Sequence, residues 1–173
     1  MADTTITPQQ AREAMEVLLE QERMLRYELF DAQRALELGR IAAELAPEYD
    51  ETYTVTITRE SDDAIWFQWL ADDKGARNLM FATGKRNAAR AAGHASPWAQ
   101  LTAIAEGKPL DDVWAKVPDE VASLGAFPIR VGDEWVATLA VSGLHNGLDH
   151  EVVLRALEKA LGVTVPRWSV SVA

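Results

Sequence analysis

Cysteine is absent from the 173 residues, which excludes disulfides, thiolate metal sites and cysteine nucleophiles together. Long apolar runs are absent too: no window approaches the roughly 18 residues needed to span a bilayer. The N-terminal stretch MADTTITPQQAREAMEV has no basic start, apolar run and small-residue cleavage site, so no secretory signal is read there. The expectation is a soluble, cytoplasmic protein with no membrane association. Basic residues are in deficit, with 17 Lys and Arg against 27 Asp and Glu for a net charge of -10. They are also scattered, so the phosphate term that dominates nucleic-acid and anionic-lipid affinity is repulsive, and nucleic acid is excluded as a partner. A phosphate loop is missing as well, because Ala82-Thr83-Gly84-Lys85 lacks the rest of that motif.

What is present is a core-forming composition, 48% hydrophobic, in a chain of about one domain's length. No repeat, low-complexity tract or long linker divides it. Residues 1–173 therefore read as a single domain, with residues 1–26 as an N-terminal packing or assembly helix and 163–173 as a tail. Thr7-Pro8-Gln9-Gln10 starts that helix, Thr7 as N-cap and Gln10 as the capping-box return. A second helix follows Asp31 and stops at Ala46-Pro47. Tyr53, Val55 and Ile57 alternate with threonines, and residues 64–70 (AIWFQWL) return as the partner of a hairpin. A helix over residues 78–92, a short one after Ser96-Pro97 and another around residues 110–114 come next.

The stretch from Gly125 to Leu161 carries the clearest local pattern. A first strand contains Pro128, which requires a sheet edge or a bulge. Gly132-Asp133 turns the chain into a second strand, residues 135–141, with few polar atoms on either face and so covered on both sides. Asp149 is expected to cap a helix that ends at Gly162. The tail VTVPRWSVSVA has strand character and is expected to add to an edge. Strands joined as hairpins between helices give an α+β fold with a mainly antiparallel sheet.

Candidate chemistry gathers at few residues. Asp149-His150 would suit a carboxylate-oriented imidazole, yet neighbours at a helix start seldom face each other. His145, Asp149 and His150 match no metal-ligand spacing, and no metal site is assigned. His94 reads as a turn residue. Ser142 before Gly143 lacks the first glycine of G-x-S-x-G, so no hydrolase is assigned. Lys85-Arg86 is either a solvated helix face or an anion clamp. Trp66, Trp69, Trp98 and Trp114 either fill a core or line a pocket for a flat ligand.

The run Gly125-Ala126-Phe127-Pro128-Ile129, then Val141-Ser142-Gly143-Leu144 and Asp149-His150, resembles the signature of a family of bacterial and fungal proteins grouped with haem-binding and haem-degrading domain proteins. Ala35-Leu36-Glu37-Leu38-Gly39 and the spaced set Asn78, Phe81, Lys85 and Asn87 extend the resemblance over residues 19–161. It departs at Leu124, at Phe81 and at Thr83-Gly84, where the family has a glycine, a tryptophan and a basic pair. The resemblance implies a profilin-like, five-stranded antiparallel sheet with helices on its faces in α/β/α layers. It also implies a homo-oligomer and haem or another planar anion as ligand, with no established reaction. On this basis Asn78, Lys85, Arg130, Ser142 and His150 are the expected ligand-binding residues. The competing expectation is an assembly or protein-interaction module without catalysis.

Overall fold

The computed structural model describes residues 6–109, 119–145 and 147–169. Its elements are α1 (Pro8–Met24), β1 (Arg26–Tyr27), α2 (Ala32–Glu44), β2 (Thr54–Arg59), β3 (Ile65–Leu70), α3 (Ala76–Ala92), α4 (Trp98–Ala105), β4 (Ala126–Val131), β5 (Glu134–Ser142) and α5 (Leu148–Leu161). The helix expected around residues 110–114 and Trp114 itself lie outside the described residues. No helix among those described is long and apolar enough to cross a membrane.

Local chemistry sets most of these boundaries. At α1 the Thr7 hydroxyl accepts from the Gln10 N–H at 3.1 Å while the Gln10 side chain accepts from the Thr7 N–H at 2.8 Å, the reciprocal pair of a capping box. The helix ends at Met24, two residues before the expected Arg26, because Arg26-Tyr27 pairs in parallel with Arg130-Val131. That two-residue strand has no periodicity to betray it in the sequence. Asp31 caps α2 by accepting from the Arg34 N–H, and Ala46-Pro47 converts its end to a 3-10 turn.

The sheet order is β1-β4-β5-β2-β3. All pairings are antiparallel except β1 with β4. β1 covers only the last two residues of β4, so Pro128 sits where that strand has an open side, one residue before a register shift at Ile129/Arg130. β5 is central and buried on both faces from Ala137 onward, as its apolar alternation requires. Phe127, Ile129, Leu139, Val141, Val55 and Ile57 join the main core with Leu38 of α2 and Val153 and Leu157 of α5. On the opposite face Ala126 and Ala140 meet Ala82 and Ala89 of α3, and these small side chains let that helix lie close to the sheet. Gly39 has a steric reason of its own: any Cβ there would overlap the Phe67 ring.

The C-terminal segment departs from expectation. Residues 163–169 form no strand. They run as a strap past α1 and α5, anchored by burial of Val165, by the Val165 N–H donating to Glu158 at 2.8 Å, and by Arg167 bridging Glu151 and Glu158 at 2.9 and 2.8 Å. Pro166, which lacks an N–H, and the side-chain anchors favour this path over edge pairing.

Candidate functional site

The start of α5 separates the two residues that looked most like a catalytic pair. Gly147, not Asp149, occupies the N-cap position, with a left-handed backbone. Asp149 lies in the first turn, where its charge also favours the helix N-terminus. Its Oδ2 accepts from Lys85 Nζ at 2.6 Å and its Oδ1 from the Leu144 N–H at 2.9 Å. Lys85 Nζ donates in addition to the Val141 carbonyl at 3.0 Å. Lys85 and Asp149 are 4% and 5% exposed, so the pair is a buried link between α3 on one sheet face and α5 on the other. Gly125 makes room for it: at φ 133° its missing Cβ would strike the Val141 carbonyl and stand 2.9 Å from Lys85 Nζ.

His150 points elsewhere, into the space between α5, α1 and the strap. Its ring is 3% exposed, stacked on Trp168 with centroids 5.3 Å apart and tilted against Phe127 at 6.0 Å. Gln21 fixes its tautomer. The Gln21 amide donates through Nε2 to the Pro166 carbonyl at 2.8 Å, which leaves Oε1 to accept from His150 Nε2 at 3.0 Å. His150 therefore carries its proton on Nε2, and its Nδ1 lone pair has no hydrogen-bond partner among the described residues. Burial, reinforced by the Arg167 charge, pushes the imidazole pKa down to about 3, so the ring is neutral at physiological pH.

That depression has a measurable consequence. The unfolded chain takes up a proton near pH 6.5 that folded His150 refuses down to about 3, so this group's contribution to stability falls as the solution is acidified through that window. The expected slope is about 1.4 kcal/mol per pH unit. Urea denaturation between pH 6.5 and 5 should show the wild type losing about 2 kcal/mol more than His150→Gln. Equal losses in the two proteins would refute the buried neutral ring.

The remaining expected site residues do not join His150. Ser142 is buried at the end of β5, opposite Thr54, and no described hydrogen bond connects it to a histidine. Arg130 lies over the Trp135 ring at 5.1 Å and donates to the Gly93 carbonyl at 3.2 Å, away from α5. Asn78 is in the first turn of α3, two helical turns before Lys85. The basic pair Lys85-Arg86 is buried and internally paired rather than a solvated face. Lys85 is committed to Asp149, and Arg86 donates to Glu60 at 2.9 Å and to Asp63 at 2.6 Å. Glu60 also accepts from Thr138 Oγ1 at 2.6 Å.

His145 meets Glu51 and His94 meets Glu22, so each described histidine has a different neighbour. No cluster of three or more potential metal ligands occurs among the described residues. Trp66 packs on Phe30, Trp69 on Tyr53 and Trp98 on His94. Gln21 and Trp168 were invisible as site residues in the sequence, because their role depends on α1 and the strap meeting α5. The one available signal was Gln21 as a polar residue on the otherwise apolar stripe of α1.

Comparison with known proteins places the chain in a family. Residues 30–158 match the family described as haem degrading protein HbpS-like. A UPF0303 protein of Rhizobium rhizogenes is 31% identical over 143 residues, 82% of this chain and 87% of that protein. A UPF0303 protein of Paraburkholderia phytofirmans is 31% identical over 150 residues, covering 86% and 90%. Among solved structures the fold is similar to the Ybr137w protein, with a TM-score of 0.74, 21% identity and coverage of 88% and 91%. It is similar also to HbpS, at 0.60, 19%, 79% and 93%, and to a PduOC:heme complex, at 0.63, 16%, 80% and 99%.

Proposed function

Because the chain belongs to the HbpS-like haem-degrading protein family, we propose that it binds haem, or another planar anionic ligand, through the imidazole of His150. The observation that carries this reading is the neutral, buried ring with an unpartnered Nδ1. Iron ligation needs a deprotonated imidazole nitrogen whose tautomer is fixed by a hydrogen bond from the other nitrogen, and Gln21 supplies that bond. The haem complex among the similar folds supports the ligand class. When bound, haem supplies the redox and ligand chemistry of its iron. In this chain His150 Nδ1 would hold the iron and Phe127 would offer an aromatic face, in a site closed to water. Lys85 and Asp149 act here as positioning residues that hold the start of α5.

The cleft between α1 and the strap, lined by Ala14, Val17, Arg167 and Trp168, has a volume of about 210 Å³, below the roughly 300–1,000 Å³ of drug-sized ligand sites. Trp168 stacks on the imidazole at 5.3 Å, so a macrocycle reaches His150 only when that ring moves aside. Hemin titrated into the full chain should give a saturable Soret shift. His150→Ala should abolish or displace it, and Trp168→Ala should tighten binding because the ring no longer competes. An absent shift at micromolar hemin, or one unchanged by His150→Ala, would overturn the proposal.

A second reading, assembly into a homo-oligomer in the cytoplasm, is favoured by exposed apolar side chains at both sheet edges. Ile65 opens the edge strand β3 with 62% exposure, and Leu29, two residues beyond β1, has 55%. Deleting residues 1–26 is no test of this, since Ala11, Ala14 and Leu18 are core residues. Ile65→Asp with Leu29→Asp should lower the mass seen by light scattering; an unchanged mass would count against edge contacts.

A further inference from the structure

A groove between α2 and the C-terminal end of α5 carries a second ligand-binding inference. Leu38 and Ile41 of α2 and Leu161 at the end of α5 give it an apolar floor, Tyr27 of β1 forms part of its wall, and its volume is about 490 Å³, within the range of small-molecule sites. Three cations line it, Arg34, Arg40 and Lys159, against two carboxylates, Glu37 and Glu44. In a chain of net charge -10, this positive balance is local. Arg34 is paired with Asp31 at 3.2 Å and Arg40 with Glu44 at 3.9 Å, all on exposed side chains. Such pairs hold weakly in water, so either guanidinium can turn to a ligand carboxylate, which it binds through two parallel hydrogen bonds.

The second observation is an unsatisfied group. Tyr27 is only 9% exposed and its hydroxyl has no hydrogen-bond partner among the described residues. Buried hydroxyls are nearly always paired, and leaving one unpaired costs about 1–3 kcal/mol. Burial, with Glu37 nearby, raises the phenol pKa, so the group stays a donor at physiological pH. An apolar floor, a buried unpartnered hydroxyl on a residue of the wall and three cations in the lining together describe one kind of ligand. We propose that the groove binds an oxygenated organic acid: an aliphatic or aromatic body on Ile41 and Leu161, a carbonyl or ether oxygen accepting from Tyr27 once its ring turns toward the groove, and a carboxylate at Arg40 and Lys159. This site is separate from His150, and it holds whether or not the chain binds haem.

Isothermal titration of the full chain with decanoate and 6-oxodecanoate separates the two contacts. The oxo acid should bind about fivefold tighter than decanoate, the worth of one neutral hydrogen bond. Tyr27→Phe should erase that preference while keeping decanoate affinity. Arg40→Glu with Lys159→Glu should weaken both acids about tenfold or more, since it places two further carboxylates at the mouth. One equivalent of hemin should leave both isotherms unchanged, which keeps failure here distinct from failure of the haem reading. No saturable binding of either acid at millimolar concentration, or an oxo-acid preference that survives Tyr27→Phe, would overturn the assignment.

Discussion

Lys85→Met should cost about 3–5 kcal/mol of folding stability, the usual penalty for removing one member of a buried ion pair. The substitution keeps the side chain's length but leaves the Asp149 carboxylate, 5% exposed, with only the Leu144 N–H as partner. Asp149→Asn should cost a similar amount, because it strands the Lys85 ammonium against the Val141 carbonyl. The double change Lys85→Met with Asp149→Leu should cost less than either single change, since replacing both charges by apolar groups removes the desolvation penalty with the attraction. Total stability of a domain is about 5–15 kcal/mol, so the single variants approach unfolding. Urea denaturation of the three variants decides the matter. Single substitutions costing under about 1 kcal/mol would show that the pair is hydrated and does not link α3 to α5.

Gly125→Ala should be nearly as damaging, at about 3 kcal/mol or more. The backbone φ of 133° at this position is one that L side chains avoid, and such strain costs of order 1–3 kcal/mol. The added Cβ also meets the Val141 carbonyl, which is backbone and cannot step aside, and stands 2.9 Å from Lys85 Nζ. A loss of about 10 °C in melting temperature is expected for a domain of this size. A cost within about 0.5 kcal/mol, typical of an indifferent surface change, would mean the strand has freedom that its burial does not suggest. Gly125 thus forms part of the clamp whose charged members are Lys85 and Asp149.

Much of the fold could be read from residues whose chemistry is local. Thr7, Pro8 and Gln10 mark the start of α1, the Tyr53-Val55-Ile57 alternation marks β2, Gly132-Asp133 marks the β4–β5 turn, and Gly162 ends α5 with a left-handed backbone. Where a feature depends on distant parts of the chain, the same reasoning fails. β1 exists only because β4 offers Arg130 and Val131 as partners. The tail has strand-like residues but is fixed by Glu151 and Glu158, charges on a helix surface that periodicity treats as solvent-facing.

The site divides along the same line. Lys85 and Asp149 were each visible as candidates, but their mutual contact spans 64 residues and removes both from the list of free ligand groups. Asp149 looked like a cap because capping is the commonest local use of an aspartate at a helix start; the buried ammonium competes and wins. Among the five residues expected to bind ligand, His150 keeps an unassigned polar atom, and Tyr27, never singled out by pattern, keeps another.

Ligation at His150 requires a neutral ring whose Nδ1 lone pair is unoccupied. Nitrogen-15 NMR of histidine-labelled full-length protein tests it most directly. The His150 ring should hold its proton on Nε2 and leave Nδ1 unprotonated at every pH from 5 to 8, since its pKa lies at about 3, and the Nδ1 signal should shift or broaden beyond detection when one equivalent of hemin is added. A ring that gains a second proton within that range, or an Nδ1 signal untouched by hemin, would contradict the account.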